Sequence, residues 1–195
     1  QTGYGTSCLF PESFTNALSQ SSSATYNVNY GLPSTHLDAN GLTVSTSYDG
    51  YGRPTLVTRP DGTSTATSYT NCSIACDSRV KMAVVVNERD TTTATIRSSR
   101  QYLDMFGRPI YGASQTSSGG YSATTNYFDP LGRLERQYEP FFEGNPLGAY
   151  TQRVFDLANR AIAIQLRDYG GALNREAIVS YEGRRIVTTD RMGFD

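Results

Sequence analysis

Residues Tyr127 to Leu134 read Y-F-D-P-L-G-R-L. An aromatic pair leads into Asp129, and Gly132 and Arg133 close the phrase. The same phrase recurs as Tyr48-Asp49-Gly50-Tyr51-Gly52-Arg53-Pro54, as Leu103-Asp104-Met105-Phe106-Gly107-Arg108-Pro109 and as Phe155-Asp156-Leu157-Ala158-Asn159-Arg160. Looser copies keep the D-x-x-G core at Asp38 to Gly41, Asp168 to Gly171 and Asp190 to Gly193. An Asp at the first position of a turn accepts backbone N–H groups with its side chain, and Gly three residues on takes a left-handed backbone at no steric cost. Between two β-rich runs this is a hairpin signal. Asn159 stands in the Gly position of its copy, and Asn is the residue that best tolerates that conformation after Gly. Asp61-Gly62 and Glu182-Gly183 read as tighter, two-residue turns. A short phrase repeated at intervals marks a repeated structural unit.

The runs between turns agree. Tyr26 to Tyr30 alternates polar and apolar residues; Leu42, Val44, Thr46 and Tyr48 fall on one face of a strand. Pro54–Thr58, Thr63–Tyr69, Arg79–Val86 and Thr91–Tyr102 read as further strands, as do Tyr150–Phe155, Arg160–Arg167, Ala172–Tyr181 and Arg184–Thr189. A helix competes over Arg153–Arg167, but Ile162, Ile164 and Leu166 alternate with Ala161, Ala163 and Gln165, which favours strand. The expectation is an all-β chain built as an antiparallel meander of hairpins. Residues 1–25 are rich in Ser, Thr and Gly without a clear period and read as an irregular lead-in, with Pro11 to Leu18 able to form a helical turn; residues 26–195 form the repeat region. The segment 139–149, E-P-F-F-E-G-N-P-L-G-A, is the longest break, and Phe141 and Phe142 should anchor it to the sheet.

Composition narrows the function. A net charge of −1 gives no electrostatic case for nucleic acid or an anionic membrane. No apolar run approaches the length of a membrane span. The chain starts at Gln1 without Met and stops at Asp195 just after a turn, so it reads as a piece of a longer polypeptide. Cys72 and Cys76 are close enough for a disulfide in a secreted protein; a zinc half-site is the alternative, short of ligands because His36 is the only His and Cys8 the only other Cys.

At this point the residues resemble a known family. Y-D-x-x-G-R followed by a strand and then P-D-G, seen here from Tyr48 to Gly62, is the hallmark of YD repeats, also called RHS repeats. The order of Asp129–Arg133, Glu139–Gly144, Phe155-Asp156, Tyr181–Gly183 and Thr188–Gly193 is similar to RHS regions of toxin-complex and SpvB-type proteins. The resemblance covers roughly residues 30–195. It implies a segment of a β-sheet that spirals into a hollow shell enclosing a variable cargo domain, within a secreted or surface-exposed bacterial protein. Its partners would be the rest of the parent protein and the cargo. Some members cleave themselves at a C-terminal motif with acidic residues; no such motif is found here, so that activity is carried to no residue.

Catalytic alternatives are poorly supplied. Ser34, His36 and Asp38 lie too close in sequence for triad geometry. The repeated Asp residues are committed to turns, and one Asp per turn is too few for calcium. No catalytic, metal or cofactor residue is therefore expected. Tyr and Arg ladders on a sheet face suit either cross-strand stabilisation or carbohydrate stacking, so a glycan-binding or adhesive module is the second hypothesis. Unpaired strand edges invite self-association.

Overall fold

The computed structural model describes residues 1–5, 9–72 and 78–192. Among these residues seventeen strands account for the regular structure, and there is no helix. The strands are β1 (Thr2–Tyr4), β2 (Pro11–Thr15), β3 (Ser21–Asn27), β4 (Leu32–Leu37), β5 (Thr43–Tyr48), β6 (Pro54–Thr58), β7 (Ser64–Asn71), β8 (Met82–Arg89) and β9 (Thr95–Leu103). They continue with β10 (Pro109–Gln115), β11 (Tyr121–Phe128), β12 (Leu134–Tyr138), β13 (Phe141–Phe142), β14 (Tyr150–Phe155), β15 (Ala161–Arg167), β16 (Leu173–Glu182) and β17 (Arg185–Met192). The expected all-β meander is what forms.

The chain divides into two compact units, Gln1–Tyr69 with Val84–Ser98, and Thr70–Ala83 with Ser99–Asp195. In the first unit, β1 to β7 pair antiparallel, each with the next in sequence. In the second, β9, β10, β11 and β12 pair in order, β12 pairs β14, and β14 to β17 follow as a further meander. The break at residues 139–149 lies here. β12 pairs with one end of β11 through Asn126 to Phe128, and β13 takes the other end, with Phe141 opposite Ala123 and Phe142 opposite Ser122. Adjacent strand residues point to opposite faces. Phe141 is half-buried and Phe142 stays 57% exposed, so one ring anchors the break rather than both.

Little of the chain is deeply buried. In the second unit the buried apolar residues are Val80, Ala83, Ile110, Ala113 and Ala123, with Ala113 and Ala123 directly opposed across β10 and β11. No large side chain among the described residues is fully buried. Stability therefore rests on ladder hydrogen bonds and cross-strand side-chain pairs more than on a thick core.

Three expectations are corrected. Residues 1–25 are not an irregular lead-in, and Pro11–Leu18 is not helical: β1, β2 and most of β3 occupy this region. Ser and Thr there pair across strands, as in the Thr15–Ser21 hydroxyl contact at 2.8 Å, which substitutes for the apolar alternation that marks other strands. The strand expected over Tyr26–Tyr30 ends at Asn27, because Asn27 caps a turn: its side chain accepts the Asn29 N–H, its carbonyl accepts the Gly31 N–H, and Gly31 is left-handed. Asp190 is not a turn residue. It lies within β17 opposite Ala177 and pairs with Arg175, so the strand's ladder overrides the D-x-x-G spacing; Gly193 is outside the described residues.

Candidate functional site

The repeated phrase folds into one geometry. At Asp38, Asp49, Asp104, Asp129, Asp156 and Asp168, the Asp N–H donates to the carbonyl four residues on at 2.9–3.0 Å. The residue three on donates its N–H back to the Asp carbonyl at 2.8–3.2 Å. That third residue is Gly41, Gly52, Gly107, Gly132, Asn159 or Gly171, with φ between 69° and 85°. The Asp carboxylate completes the turn. In the first five copies Oδ1 accepts the N–H groups two and four residues on, at 2.8–3.0 Å. Where the fourth residue is Arg, its Nε donates to Oδ2 at 2.6–2.7 Å, in Arg53, Arg108, Arg133 and Arg160.

The carboxyls of Asp38, Asp49, Asp104, Asp129 and Asp156 titrate below their ordinary value. For Asp156 the largest cause is the Arg160 N–H, which with the Arg160 guanidinium outweighs desolvation. For Asp38 it is the Leu42 N–H. For Asp49, Asp104 and Asp129, desolvation is the largest single influence and pushes upward, but the hydrogen bonds and charge of the following Arg together overcome it.

Beyond each Arg the ladder carries a bulge. Tyr48 pairs with Pro54 but Ser47 pairs with Leu56; Phe128 pairs with Leu134 but Tyr127 with Arg136; Phe155 pairs with Ala161 but Val154 with Ala163. One residue in each second strand is left over, which bends the strand and raises its twist. A bulge also takes a backbone group out of the ladder, and buried or partly buried carbonyls need a donor. The next strand supplies it. Tyr48 donates its hydroxyl to the Pro33 carbonyl at 2.6 Å, Tyr69 to Pro54 at 3.3 Å and Tyr181 to Ala161 at 2.9 Å. Asn126 does the same for Pro109 at 3.0 Å.

The rings that carry these hydroxyls, or stand ahead of the next Asp, receive the Arg of the preceding turn. Arg53 lies 4.1 Å over Tyr69, Arg108 4.4 Å over Phe128, Arg133 4.4 Å over Phe155 and Arg160 4.5 Å over Tyr181. In the second unit Arg then reaches the neighbouring turn itself. Arg133 Nη1 donates to Asn159 Oδ1 at 2.8 Å, and a Cβ on Gly132 would sit 2.8 Å from Arg108 Nη1. Aromatic, Asp, Gly and Arg are thus parts of a chain of contacts that runs from copy to copy.

A separate cluster pins the break at residues 139–149. The Glu143 carboxylate accepts from the Arg100 guanidinium and from the Tyr111 hydroxyl, and the Glu143 N–H donates to the Tyr121 carbonyl at 3.0 Å. Arg100 also stacks 4.4 Å over Tyr121. The Tyr111 phenol is pushed up to about 12, first by desolvation and then by the adjacent carboxylate.

Several sites singled out in the sequence take other forms. Asp61 does cap a turn, but the turn is four residues from Arg59 to Gly62 rather than two. Glu182 pairs with Arg185, so the two-residue loop is Gly183-Arg184, one residue later than the Glu182-Gly183 turn expected. Ser34 is hydrogen-bonded to the Thr25 hydroxyl at 2.9 Å and Asp38 accepts N–H groups of its own turn, with His36 acting on Asp38 only through charge. Cys72 is disulfide-bonded, and Cys76 lies outside the described residues. Among the described residues no group of acidic, His or Cys side chains could hold a metal, and no helix is long and apolar enough to cross a membrane.

Two turns of the same type were not recognised as such: the connection expected between Val86 and Thr91 turns instead at Asp90 to Thr93, and a further turn stands at Asn16 to Ser19. Asp90 caps Thr92 and Ala94, with Thr93 left-handed at φ 70°; Asn16 caps Leu18 and Gln20, with Ser19 at φ 63°. The Asx residue was visible at both, but the absence of Gly at the left-handed position hid the pattern.

Comparison with known proteins adds an independent line. Residues 30–64 match the family model described as RHS Repeat. No curated protein matches the chain. Among solved structures, the crystal structure of TcdB2-TccC3 superposes with a TM-score of 0.76 at 14% identity, covering 97% of this chain and 12% of that one. TcdB2-TccC3-Cdc42 gives 0.65 at 11%, covering 100% of this chain and 17% of that one. TcdB2-TccC3 without its hypervariable C-terminal region gives 0.63 at 11%, with the same coverage. At these identities the likeness is one of fold, and this chain spans only a small part of the length of each.

Proposed function

From the premise that residues 30–64 are an RHS repeat in a chain with the fold of TcdB2-TccC3, we propose that this is a non-enzymatic wall segment of an RHS shell. The shell encloses or displays an effector domain of a larger secreted bacterial protein. The observation that carries the reading is the saturation of the repeated side chains. Each turn Asp is held by its own turn, Asp49, Asp104, Asp129 and Asp156 also by the following Arg, and each of those Arg residues lies over a later ring. What remains is a surface-building unit that adds a hairpin per copy. The glycan-binding alternative draws no support from the geometry, because one face of Tyr69, Phe128, Phe155 and Tyr181 is already covered by a guanidinium.

A wall has an inside and an outside, and adjacent strand residues lie on opposite faces. Thr188 and Thr189 are neighbours on β17, both exposed. In the full-length polypeptide, Thr188→Cys and Thr189→Cys are expected to differ sharply in labelling by a bulky maleimide, with one protected until the protein is unfolded. Equal labelling of both in the folded protein refutes an enclosing wall.

A further inference from the structure

Tyr138 and Tyr150 stand at the two ends of the break at residues 139–149 and face each other across β12 and β14. The Glu139 N–H donates to the Ala149 carbonyl at 2.9 Å. Glu139 and Ala149 are therefore a hydrogen-bonded pair, and Tyr138 and Tyr150 the adjoining pair without ladder bonds. That is the register in which opposed side chains come closest. The two rings are 4.9 Å apart between centroids, with planes 32° from parallel, and both residues are half-buried. Two phenols are thus held in contact at the neck of an excursion from the sheet.

We propose that Tyr138 and Tyr150 are a dityrosine site, joined by peroxide-driven one-electron oxidation that closes the neck of the break covalently. Each phenol gives up one electron and its hydroxyl proton. Hydrogen peroxide, acting through a haem peroxidase, takes both and becomes two waters. The two radicals share their unpaired electrons in a new carbon–carbon bond between ring positions ortho to the hydroxyls. The hydrogens on those carbons move to the oxygens, so both phenols are restored and the chain is lighter by two hydrogens. Cys72 is disulfide-bonded, which belongs to an oxidising compartment. Two other close pairs are worse placed. Tyr127 lies 5.8 Å from Tyr138 at 55°, and the Arg79 and Arg136 guanidinium groups stand 4.3 and 6.0 Å over its ring. Their charge opposes removal of an electron from that ring. Tyr102 and Tyr111 stack at 5.2 Å, but the Tyr111 hydroxyl donates to Glu143, which holds the ring against the turn that brings ortho carbons together.

The test is oxidation of the folded full-length polypeptide with hydrogen peroxide and a haem peroxidase, followed by peptide mapping. Coupling is expected to join the Tyr138 peptide to the Tyr150 peptide within one chain. Photo-oxidation with ruthenium tris-bipyridine and persulfate, which also runs in guanidinium, compares folded with unfolded protein. Rings already in contact should couple about 10-fold faster or more, because contact raises the effective concentration of one phenol at the other. The coupled protein should also exchange its Glu139 amide about 10-fold more slowly, since the neck no longer opens locally. Equal coupling in folded and unfolded protein overturns the proposal. So does coupling of Tyr102 to Tyr111 in place of Tyr138 to Tyr150, a link that vanishes on dilution, or unchanged Glu139 exchange. None of these outcomes bears on the labelling of Thr188 and Thr189, so the wall reading is judged separately.

Discussion

Thr93 gives the sharpest test of the turn geometry. It holds φ 70° in the turn capped by Asp90, the position that Gly fills in five related turns, and it is exposed. A left-handed backbone costs an L-residue about 1–2 kcal/mol, and a β-branched one is an outlier there. Thr93→Gly removes that strain. It also loosens the unfolded chain, which takes back about 0.4–1 kcal/mol. The net expectation is stabilisation of about 0.5–1 kcal/mol, or roughly 1–4 °C in Tm for a chain of this size. Thr93→Asn should also stabilise, since Asn tolerates the conformation and leaves the unfolded chain less free than Gly does. Thr93→Ala is the control: it removes the branch but keeps a Cβ in the strained region, so it should gain least. Urea midpoints and thermal scans of the three variants against the parent supply the readout. If Gly is no more stable than Ala, the left-handed strain is not what the substitution relieves and the turn assignment fails.

Three further outcomes follow from the contacts. Phe155→Leu keeps an apolar side chain but removes the ring under Arg133, and should lower stability by about 0.5–1 kcal/mol in urea unfolding; an unchanged midpoint would show that the stack contributes nothing. The carboxyls of Asp49, Asp104 and Asp156 have folded pKa values below their unfolded ones, so their stabilisation is complete above the unfolded value near pH 4 and is lost as pH falls through the lower folded values. Asp156→Asn should therefore weaken the protein at neutral pH and flatten its acid limb, and an acid limb identical to the parent's counts against the linkage. Non-reducing peptide mapping is expected to join Cys72 to Cys76; a bridge from Cys72 to Cys8 would overturn that pairing.

The turns were legible because Asp and Gly each solve a local problem. An acceptor at the first position and a residue free to be left-handed at the fourth are needed wherever the chain reverses this way, so Asp49-Gly52 and Asp129-Gly132 announce themselves. Where only one half is present the signal fades, as at Thr93 and Ser19. Where both halves stand inside a strongly paired strand the signal misleads, as at Asp190. The aromatics ahead of Asp49, Asp129 and Asp156 and the Arg residues that close the Asp49, Asp104, Asp129 and Asp156 turns were visible too, but as neighbours within one phrase. The structure pairs them between phrases: Arg108 meets Phe128, and Arg133 meets Phe155. The Tyr hydroxyls on bulge carbonyls were hidden for a related reason. Tyr48 and Pro33 are far apart in sequence, and no local rule predicts that a bulge leaves the Pro33 carbonyl waiting.

The handing of each Arg to a later ring gives the chain a direction in time. Arg108 waits for Phe128, Arg133 for Phe155 and Arg160 for Tyr181, always a residue made afterwards. During synthesis from the ribosome, a finished turn therefore holds a guanidinium already paired with its own Asp, with one stacking partner still to come from a later strand. Growth resembles the elongation of a filament, where each subunit docks on its predecessor and presents the acceptor for its successor. A hairpin deleted from the middle would remove both a donor and an acceptor, and the two flanking copies would offer each other the same pair, so the array can lengthen or shorten by whole units without leaving a mismatched joint.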